Sequence, residues 1–134
     1  MELRNSSLRY VMAREISLSP NEIVDEWLSA FNRGDADAMV ALYADDAIHT
    51  SPKLRAAQPA SEGRVVGKAA MRRWWQDAFD RSPGIRYEVV TTVSNDHVAT
   101  IEYLRVEPGA PTLRVAEIFE IQGGKIVRSH VFHG

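Results

Sequence analysis

The stretch EWLSAFNRGDADAMVALYADDAIHTSP, residues 26–52, contains two helix signals and one strand signal in close succession. The first helix begins before it, because Ser19 and Glu22 have the spacing of a capping box. Apolar residues then recur at helical spacing, and Gly34 suits the left-handed residue that follows a helix end. Asp35 is a good N-cap for a second, shorter helix, whose apolar stripe ends at Tyr43. The stretch therefore predicts a helical hairpin that leads into a strand.

The stretch ends in DDAIHTSP, residues 45–52, where an extended segment stops at a proline. Successive side chains of a strand point to opposite faces. His49 and Ser51 should therefore share one face, and Thr50 should point the other way. This places two chemically useful side chains on one side of the predicted strand.

The remainder of the chain predicts one further helix and then a sheet. Residues 53–66 are rich in small and polar residues and predict a loop, and a third helix follows Gly67, with apolar positions that include Met71, Ala78 and Phe79. Segments rich in β-branched and aromatic residues, separated by turn residues, predict an antiparallel meander. These segments are residues 85–93, 97–107, 112–122 and 125–133.

This order of elements predicts an α+β domain over residues 19–134, with three N-terminal helices packed on a curved antiparallel sheet. Residues 1–18 form an N-terminal arm before the first strong helix signal. Its apolar residues, among them Leu8 and Tyr10, would let part of it dock on the domain or on a neighbouring subunit. An untethered terminus is the equal alternative.

The composition excludes several classes of function. The chain of 134 residues has sixteen Lys and Arg against eighteen Asp and Glu, which gives no reason to expect binding to nucleic acid or an anionic membrane. It has no cysteine, which excludes disulfides, thiolate zinc sites and a cysteine nucleophile. No apolar run approaches a membrane span, and the first 20 residues lack the apolar core of a signal peptide. We therefore expect a cytoplasmic protein.

Three segments together resemble a known superfamily. They are FNRGDADAMVALYADDA (residues 31–47), GKAAMRRWWQDAF (residues 67–79) and VAEIFEIQGGKIVRSHVF (residues 115–132). In this order they resemble the SnoaL-like and ketosteroid isomerase-like branches of the nuclear transport factor 2-like superfamily, over most of residues 20–133. The resemblance implies a cone-shaped α+β barrel, usually dimeric, with an apolar pocket between helices and sheet. It constrains function weakly, because this fold hosts isomerases, cyclases, hydrolases, dehydratases and non-catalytic binders.

The ketosteroid isomerase machinery is only partly present at the matching positions. That family uses a carboxylate base, together with a tyrosine and a protonated acid that form an oxyanion hole. By the local motifs, the base position is occupied here by Ser51, the tyrosine position by Trp27 and the acid position by Glu117. Only the third position keeps its functional group, because a serine replaces the base and a tryptophan replaces the tyrosine. The resemblance therefore argues against steroid isomerisation by the family's mechanism.

The remaining acid/base groups are a histidine and a glutamate. Since the resemblance puts Ser51 at the base position, strand alternation places His49 on the same inward face. If Glu117 pairs near Ile101 in the predicted hairpin, Tyr103 shares a face with Glu117, and the family's register implies that His133 also faces inward. The catalytic hypothesis makes His49 the base and Glu117 the acid or hydrogen-bond donor. The structural alternative is that both are hydrogen-bonded residues with no role in chemistry.

The predicted substrate site combines apolar walls with these polar groups, as is usual for small-ligand sites. We expect it to hold a small, largely apolar carbonyl or hydroxyl compound. The predicted substrate-binding residues are Trp27, Phe31, Ser51, Trp74, Trp75, Tyr103, Phe119, Val131 and His133. Because they are adjacent in a helix, Trp74 and Trp75 should point in different directions.

No cofactor or metal ion is predicted. The sequence has no GxGxxG motif and no P-loop, so a nucleotide cofactor is not expected. It also has no HxH or HExxH motif. A metal site at His49, Glu117 and His133 would have to be assembled entirely by the fold, and local spacing does not support it.

The outward face of the predicted sheet carries apolar residues set among charges. It comprises Glu102, Leu104, Arg114, Ala116, Ile118 and Glu120. Such a mixed surface suits a homodimer interface, and a solvated face is the alternative. Three functions remain open: a cofactor-free isomerase, cyclase or dehydratase, a non-catalytic ligand-binding domain, and a dimerisation domain whose cavity has collapsed around Trp27, Trp74 and Phe119.

Overall fold

A computed structural model describes residues 17–133. The predicted arm, residues 1–18, lies almost entirely outside the described residues. The elements in chain order are α1 (Pro20–Asn32), α2 (Ala36–Val40), β1 (Tyr43–Thr50), α3 (Pro52–Ala57), a 3₁₀ turn (Pro59–Ser61), β2 (Arg64–Val66), α4 (Lys68–Arg81), β3 (Arg86–Ser94), β4 (Val98–Val106), β5 (Leu113–Gln122) and β6 (Lys125–His133).

The first helix begins and ends where the sequence predicts, and the second begins at its predicted N-cap. The Ser19 side chain accepts a hydrogen bond from the Glu22 backbone N–H, and the Glu22 carboxylate accepts one from the Ser19 N–H at 3.0 Å. Gly34 follows α1 with a φ of +67°, a left-handed conformation that glycine adopts without steric cost. The Asp35 carboxylate accepts a hydrogen bond from the Ala38 N–H at 2.9 Å and caps α2. These local signals fix the turn between α1 and α2.

The sheet has six strands in the order β2-β1-β6-β5-β4-β3 and is curved and unclosed. This confirms the predicted α+β class and cone-like architecture. One pairing differs from the predicted antiparallel sheet, because β1 runs parallel to β6. A parallel pair needs a long connection, and here almost the whole domain separates the two strands.

The segment predicted as a loop, residues 53–66, is more ordered than expected. It contains α3, the 3₁₀ turn and β2. The Ser51 hydroxyl accepts a hydrogen bond from the Leu54 N–H at 3.1 Å and caps α3, with Pro52 at the first helical position. Ser51-Pro52 thus repeats the start signal of α1. The two elements escaped prediction because six and three residues are too few to show a periodicity.

Tyr43 also differs from the prediction, which placed it on the apolar stripe of the second helix. Helix α2 ends at Val40, and Tyr43 is the first residue of β1, paired with Ile126. Its side chain is fully buried. The short helix ends early because the chain must extend to pair with β6.

The core lies between the helices and the inner face of the sheet. In β4 and β5, burial alternates along each strand, with the more buried side chains on the inner face. Helix α1 packs Trp27 against Phe119 of β5, with ring centroids 5.1 Å apart in an edge-to-face arrangement. Among the described residues, no helix is long and apolar enough to cross a membrane.

Candidate functional site

A cavity of about 490 Å³ lies between α1, α3 and α4 and the inner face of the sheet. This volume lies in the range typical of small-molecule sites. Its deep end is lined by buried side chains, which include those of Trp27, His49, Tyr103 and Glu117. Its open end is formed where α4 and β4 finish and where β5 begins.

Most residues of the predicted site line this one cavity. They are His49, Glu117, Trp27, Phe31, Ser51, Trp74, Trp75, Tyr103, Val131 and His133. Phe119 is the exception: it is not a lining residue, because its ring is fully buried in the core against Trp27. Trp75 is buried and Trp74 half-buried, and both contribute to the wall.

Glu117 is a carboxyl group sealed into the apolar interior. It lies opposite Ile101 in the β4–β5 hairpin, as the predicted register requires, and only 1% of its surface is exposed. The Tyr103 hydroxyl donates a hydrogen bond to its Oε1 at 2.9 Å. Burial raises the pKa of Glu117 to about 8, and the Tyr103 hydrogen bond only partly opposes this. At neutral pH Glu117 is therefore a neutral acid.

Glu117 Oε2, the second oxygen of this carboxyl group, is buried and has no hydrogen-bond partner among the described residues. A buried polar atom without a partner costs about 1–3 kcal/mol. As a protonated oxygen beside a cavity, it is a hydrogen-bond or proton donor that a bound oxygen atom would satisfy.

A stack of aromatic rings forms the wall beside Glu117. Tyr87 lies parallel to Phe31, with ring centroids 3.6 Å apart, and it also stacks on Tyr103 at 4.1 Å. These three rings come from β3, α1 and β4, and all line the cavity. They give a ligand a rigid apolar surface next to the carboxyl group. The sequence analysis missed Tyr87.

His49 lies at the end of a buried chain of hydrogen bonds. The Trp27 indole N–H donates to the Tyr43 hydroxyl at 3.2 Å, and that hydroxyl lies 2.8 Å from the Ser129 Oγ. The Ser129 Oγ in turn lies 2.7 Å from His49 Nδ1. His49 is 3% exposed, and burial, with a smaller contribution from His130, lowers its pKa to about 3. His49 is therefore neutral.

The chain also decides which nitrogen of His49 carries the proton. An indole N–H can only donate, so the Tyr43 oxygen accepts from Trp27. Within the described residues the Tyr43 hydroxyl has one further partner, Ser129, so its proton goes there. The Ser129 proton then goes to His49 Nδ1, which leaves the imidazole proton on Nε2. His49 is thus a hydrogen-bond donor toward the cavity in its resting state, and reversing the chain would leave the buried Tyr43 proton without an acceptor at a cost of about 1–3 kcal/mol.

Two further polar residues, Ser51 and His133, line the cavity. The Ser51 hydroxyl is occupied by the cap of α3, although the residue also lines the cavity. His133 Nε2 is buried and has no partner among the described residues. Burial, Lys53 and Arg105 lower the pKa of His133, so it is uncharged. His130 lies on the other side of the sheet, away from the cavity, where it bonds Thr50 at 2.8 Å and Glu120 at 2.9 Å.

The open end of the cavity carries charges that the sequence analysis did not select. They are Lys53, Arg81, Arg105 and Glu107. Glu107 forms an ion pair with Arg105 and accepts a hydrogen bond from the Ser82 hydroxyl at 2.6 Å. The Ser82 bond, assisted by Arg105, lowers the pKa of Glu107 despite its partial burial. No sequence motif marks these residues, since the fold brings them from α3, α4 and β4.

The described part of the chain contains no evident set of metal ligands. No group of three or more His, Asp or Glu side chains there is placed to hold a metal ion. The neutral donors of the cavity, a protonated carboxyl group and an Nε2–H imidazole, are oriented to donate hydrogen bonds and do not present lone pairs to a cation.

An open, curved sheet wrapped on its inner face around helices and a cavity is the architecture of the nuclear transport factor 2-like class. Within that class, the chain belongs to the SnoaL-like domain family, whose family model matches residues 24–129. The match covers α1, the aromatic wall and both strands of the β4–β5 hairpin. No curated protein sequence matches the chain.

Solved structures agree with this assignment. A SnoaL-like protein of unknown function from Burkholderia thailandensis is 25% identical with a TM-score of 0.75, over 86% of this chain and 94% of that chain. A Xanthomonas campestris pv. campestris protein, provisionally assigned as a polyketide cyclase, is 24% identical with a TM-score of 0.68, over 86% and 90%. A Kribbella flavida protein, provisionally assigned as a ketosteroid isomerase, is 18% identical with a TM-score of 0.68, over 84% and 75%. The latter two likenesses concern the fold alone.

The neutral state of Glu117 predicts a particular dependence of stability on pH. In the unfolded chain Glu117 ionises near its ordinary pKa of 4.5, whereas in the folded protein it keeps its proton up to about pH 8. The stability that it contributes is therefore complete below pH 4.5 and is lost as the pH rises to about 8. In urea unfolding experiments, the free energy of unfolding of wild type minus that of Glu117→Gln should fall by up to about 1.4 kcal/mol per pH unit across this range of pH. Glu26→Gln, an exposed substitution in α1, is the control. A flat difference for Glu117→Gln would contradict a raised pKa.

The hydrogen-bond chain predicts the tautomer and titration of His49. In ¹⁵N spectra of the ring nitrogens, Nδ1 of His49 should be unprotonated and Nε2 protonated at neutral pH. Because its pKa is about 3, the ring should stay neutral at pH 5. Tyr43→Phe removes the hydroxyl that orders the chain and should redistribute the two tautomers. A wild-type ring with its proton on Nδ1 would overturn the order of donors.

Proposed function

We propose that the cavity binds a small, largely apolar carbonyl or hydroxyl compound, and that the protein catalyses its cofactor-free isomerisation, cyclisation or dehydration by acid/base chemistry at Glu117 and His49. The observation that carries this proposal is the neutral Glu117, with an unpartnered oxygen beside the cavity. A carboxylic acid with a pKa close to the working pH is well matched to donate a proton and to take one back.

Glu117 acts as the acid in this proposal. In isomerisation its Oε2 proton passes to a substrate carbon as the carbon–carbon double bond shifts to the neighbouring position. In cyclisation the proton passes to a carbonyl oxygen as another carbon of the same substrate bonds to the carbonyl carbon. In dehydration it passes to a hydroxyl oxygen, whose carbon–oxygen bond breaks to release water. In each case the carboxylate is left negative. The Tyr103 hydroxyl already donates to Oε1 and stabilises that charge. The carboxylate then removes a proton from a neighbouring atom of the same substrate, which restores the neutral acid and needs no cofactor.

In this proposal His49 binds the substrate, and it could act as a base only after an unfavourable change of tautomer. Its Nε2–H is positioned by the chain through Ser129 and Tyr43 to donate to a substrate oxygen. To accept a proton at Nε2, the ring must first change tautomer, which reverses the chain. We therefore assign His49 primarily to binding and polarising the oxygen, which differs from the simple base that its position in the sequence suggests.

Non-catalytic ligand binding is the second candidate, and one observation favours it. The position at which ketosteroid isomerase-like relatives carry their base is Ser51, whose hydroxyl caps α3. Together with the low pKa of His49, this leaves the empty cavity without a strong base. A dimerisation domain with a collapsed interior is the weaker alternative, because a cavity of about 490 Å³ is present.

Turnover of a panel of small enones, lactones and β-hydroxy ketones distinguishes the candidates. Wild type should convert at least one member. Glu117→Gln should lower kcat by about 10²–10⁴-fold, the usual contribution of a general acid, and His49→Ala should lower activity as well. Both variants should remain folded by circular dichroism, and Glu26→Gln, an exposed substitution in α1, should match wild type in activity. Unchanged turnover in Glu117→Gln and His49→Ala would refute the catalytic proposal, and ligand binding without turnover in wild type would establish the binding function.

We also propose that two copies of the chain associate through the outer face of the sheet. Phe132 of β6 is 55% exposed and pairs with Ala116 of β5. Ala116 in turn pairs with Glu102 of β4, and Leu104 lies on the same face of that strand. Ile118 lies in the neighbouring row of the same face. The apolar residues thus form a continuous patch rimmed by the Arg114–Glu102 ion pair and by Glu120. Such a patch suits a self-complementary interface.

A charge placed in this patch should separate the two copies. Size-exclusion chromatography with light scattering should give twice the chain mass for wild type and one chain mass for Phe132→Glu. Val89→Glu is the matched control, because Val89 is similarly exposed, at 51%, but its strand partner Tyr103 belongs to the inner face. A monomeric wild type would refute the proposed dimer.

A further inference from the structure

The open end of the cavity is positively charged although the protein as a whole is acidic. Lys53, Arg81 and Arg105 line it together with one ionised acid, Glu107. The chain has a formal net charge of −2, so this excess of cations is a local feature of the cavity. The deep end adds no charge, because Glu117 is neutral. A ligand in the cavity therefore meets neutral donors at one end and a positive field at the other.

Two of the three cations have no carboxylate partner. Glu107 neutralises Arg105, whereas Lys53 and Arg81 form no ion pair within residues 17–133. Partial burial and then Arg105 lower the pKa of Lys53, Glu107 raises it, and Arg81 lowers it by a smaller amount. An anion placed between these side chains would relieve the repulsion and pair with both cations.

We infer that the open end binds the carboxylate of the substrate, so that the substrate is an apolar carboxylic acid whose body fills the cavity; this rests on the proposed function. A monoanion fits better than a phosphate dianion, because Glu107 stays beside the two unpaired cations and repels the second charge. The remaining walls are aromatic and aliphatic, which suits an apolar body.

The strand geometry sets the length of such a substrate. Arg105 is four residues along β4 from Ile101, the register partner of Glu117. Four residues of a strand span about 13 Å. An oxygen held at Glu117 and a carboxylate held at the open end would thus lie at opposite ends of one elongated molecule.

A matched pair of ligands tests the charge requirement. 4-Phenylbutanoate and its primary amide, 4-phenylbutanamide, have the same shape and differ in charge. Their dissociation constants can be measured by ¹⁵N–¹H NMR titration, with the shifted amides reporting the site. At low salt the carboxylate should bind about tenfold more tightly, since it forms charge pairs with two partly exposed cations. Added NaCl should weaken the carboxylate and leave the amide unchanged.

Substitutions that remove positive charges, and one that removes a negative charge, distinguish charge recognition from loss of folding. Lys53→Gln with Arg81→Gln should abolish the preference for the carboxylate and leave the affinity for the amide within about twofold, because the amide makes no charge pair. Arg73→Gln is the control. Arg73 is an exposed cation of α4, the helix that contains Arg81, and its side chain does not line the cavity. Glu107→Gln removes the one acid and should tighten carboxylate binding.

Equal affinities for the two ligands in wild type would overturn the inference, as would a preference that survives in the double variant or the failure of both ligands to shift cavity amides. If the amide binds in the cavity as well as the carboxylate does, substrate charge is irrelevant while catalysis by Glu117 still stands. Conversely, full turnover by Glu117→Gln would refute the proposed chemistry, and a carboxylate preference lost in the double variant would still support recognition at the open end.

Discussion

The rest of the site depends on the burial of one carboxyl group. Glu117 is placed by strand alternation on the inner face of the sheet, where it is surrounded by aromatic rings and paired with a single donor, Tyr103. An ionised carboxylate is expensive in such a place, so the group keeps its proton. A neutral acid beside a cavity has one use for its free oxygen, which is to donate to a bound molecule. The cavity wall, the low charge of the deep end and the proposed chemistry all follow from that constraint.

A second constraint orders the opposite side of the cavity. The indole N–H of Trp27 can only donate, and this one-way group fixes the direction of the hydrogen bonds through Tyr43 and Ser129 to His49. The order of donors therefore begins at an indole that belongs to the buried core and also lines the cavity.

Local signals predicted much of the fold, and period-two alternation predicted the placement of Glu117. Capping residues located α1 and α2, and the hairpin register put Glu117 opposite Ile101 as expected. The buried chain could not be foreseen, because Tyr43 and Ser129 are 86 residues apart and meet only through the parallel pairing of β1 and β6. Phe119 shares the inward face but is too close to Trp27 to reach the cavity. The cations of the open end come from three elements, and one of these is the short helix α3 that the sequence did not predict.

The central claim is that Glu117 is a neutral acid in the folded protein at neutral pH. Infrared difference spectroscopy measures this directly, because a protonated carboxyl group has a carbonyl stretch separate from the bands of a carboxylate. In the spectrum of wild type minus Glu117→Gln at pH 7, the account predicts a protonated-carboxyl band that disappears as the pH rises through about 8. A carboxylate band for Glu117 at pH 7, with no protonated form until the pH is brought near 4.5, would contradict the account.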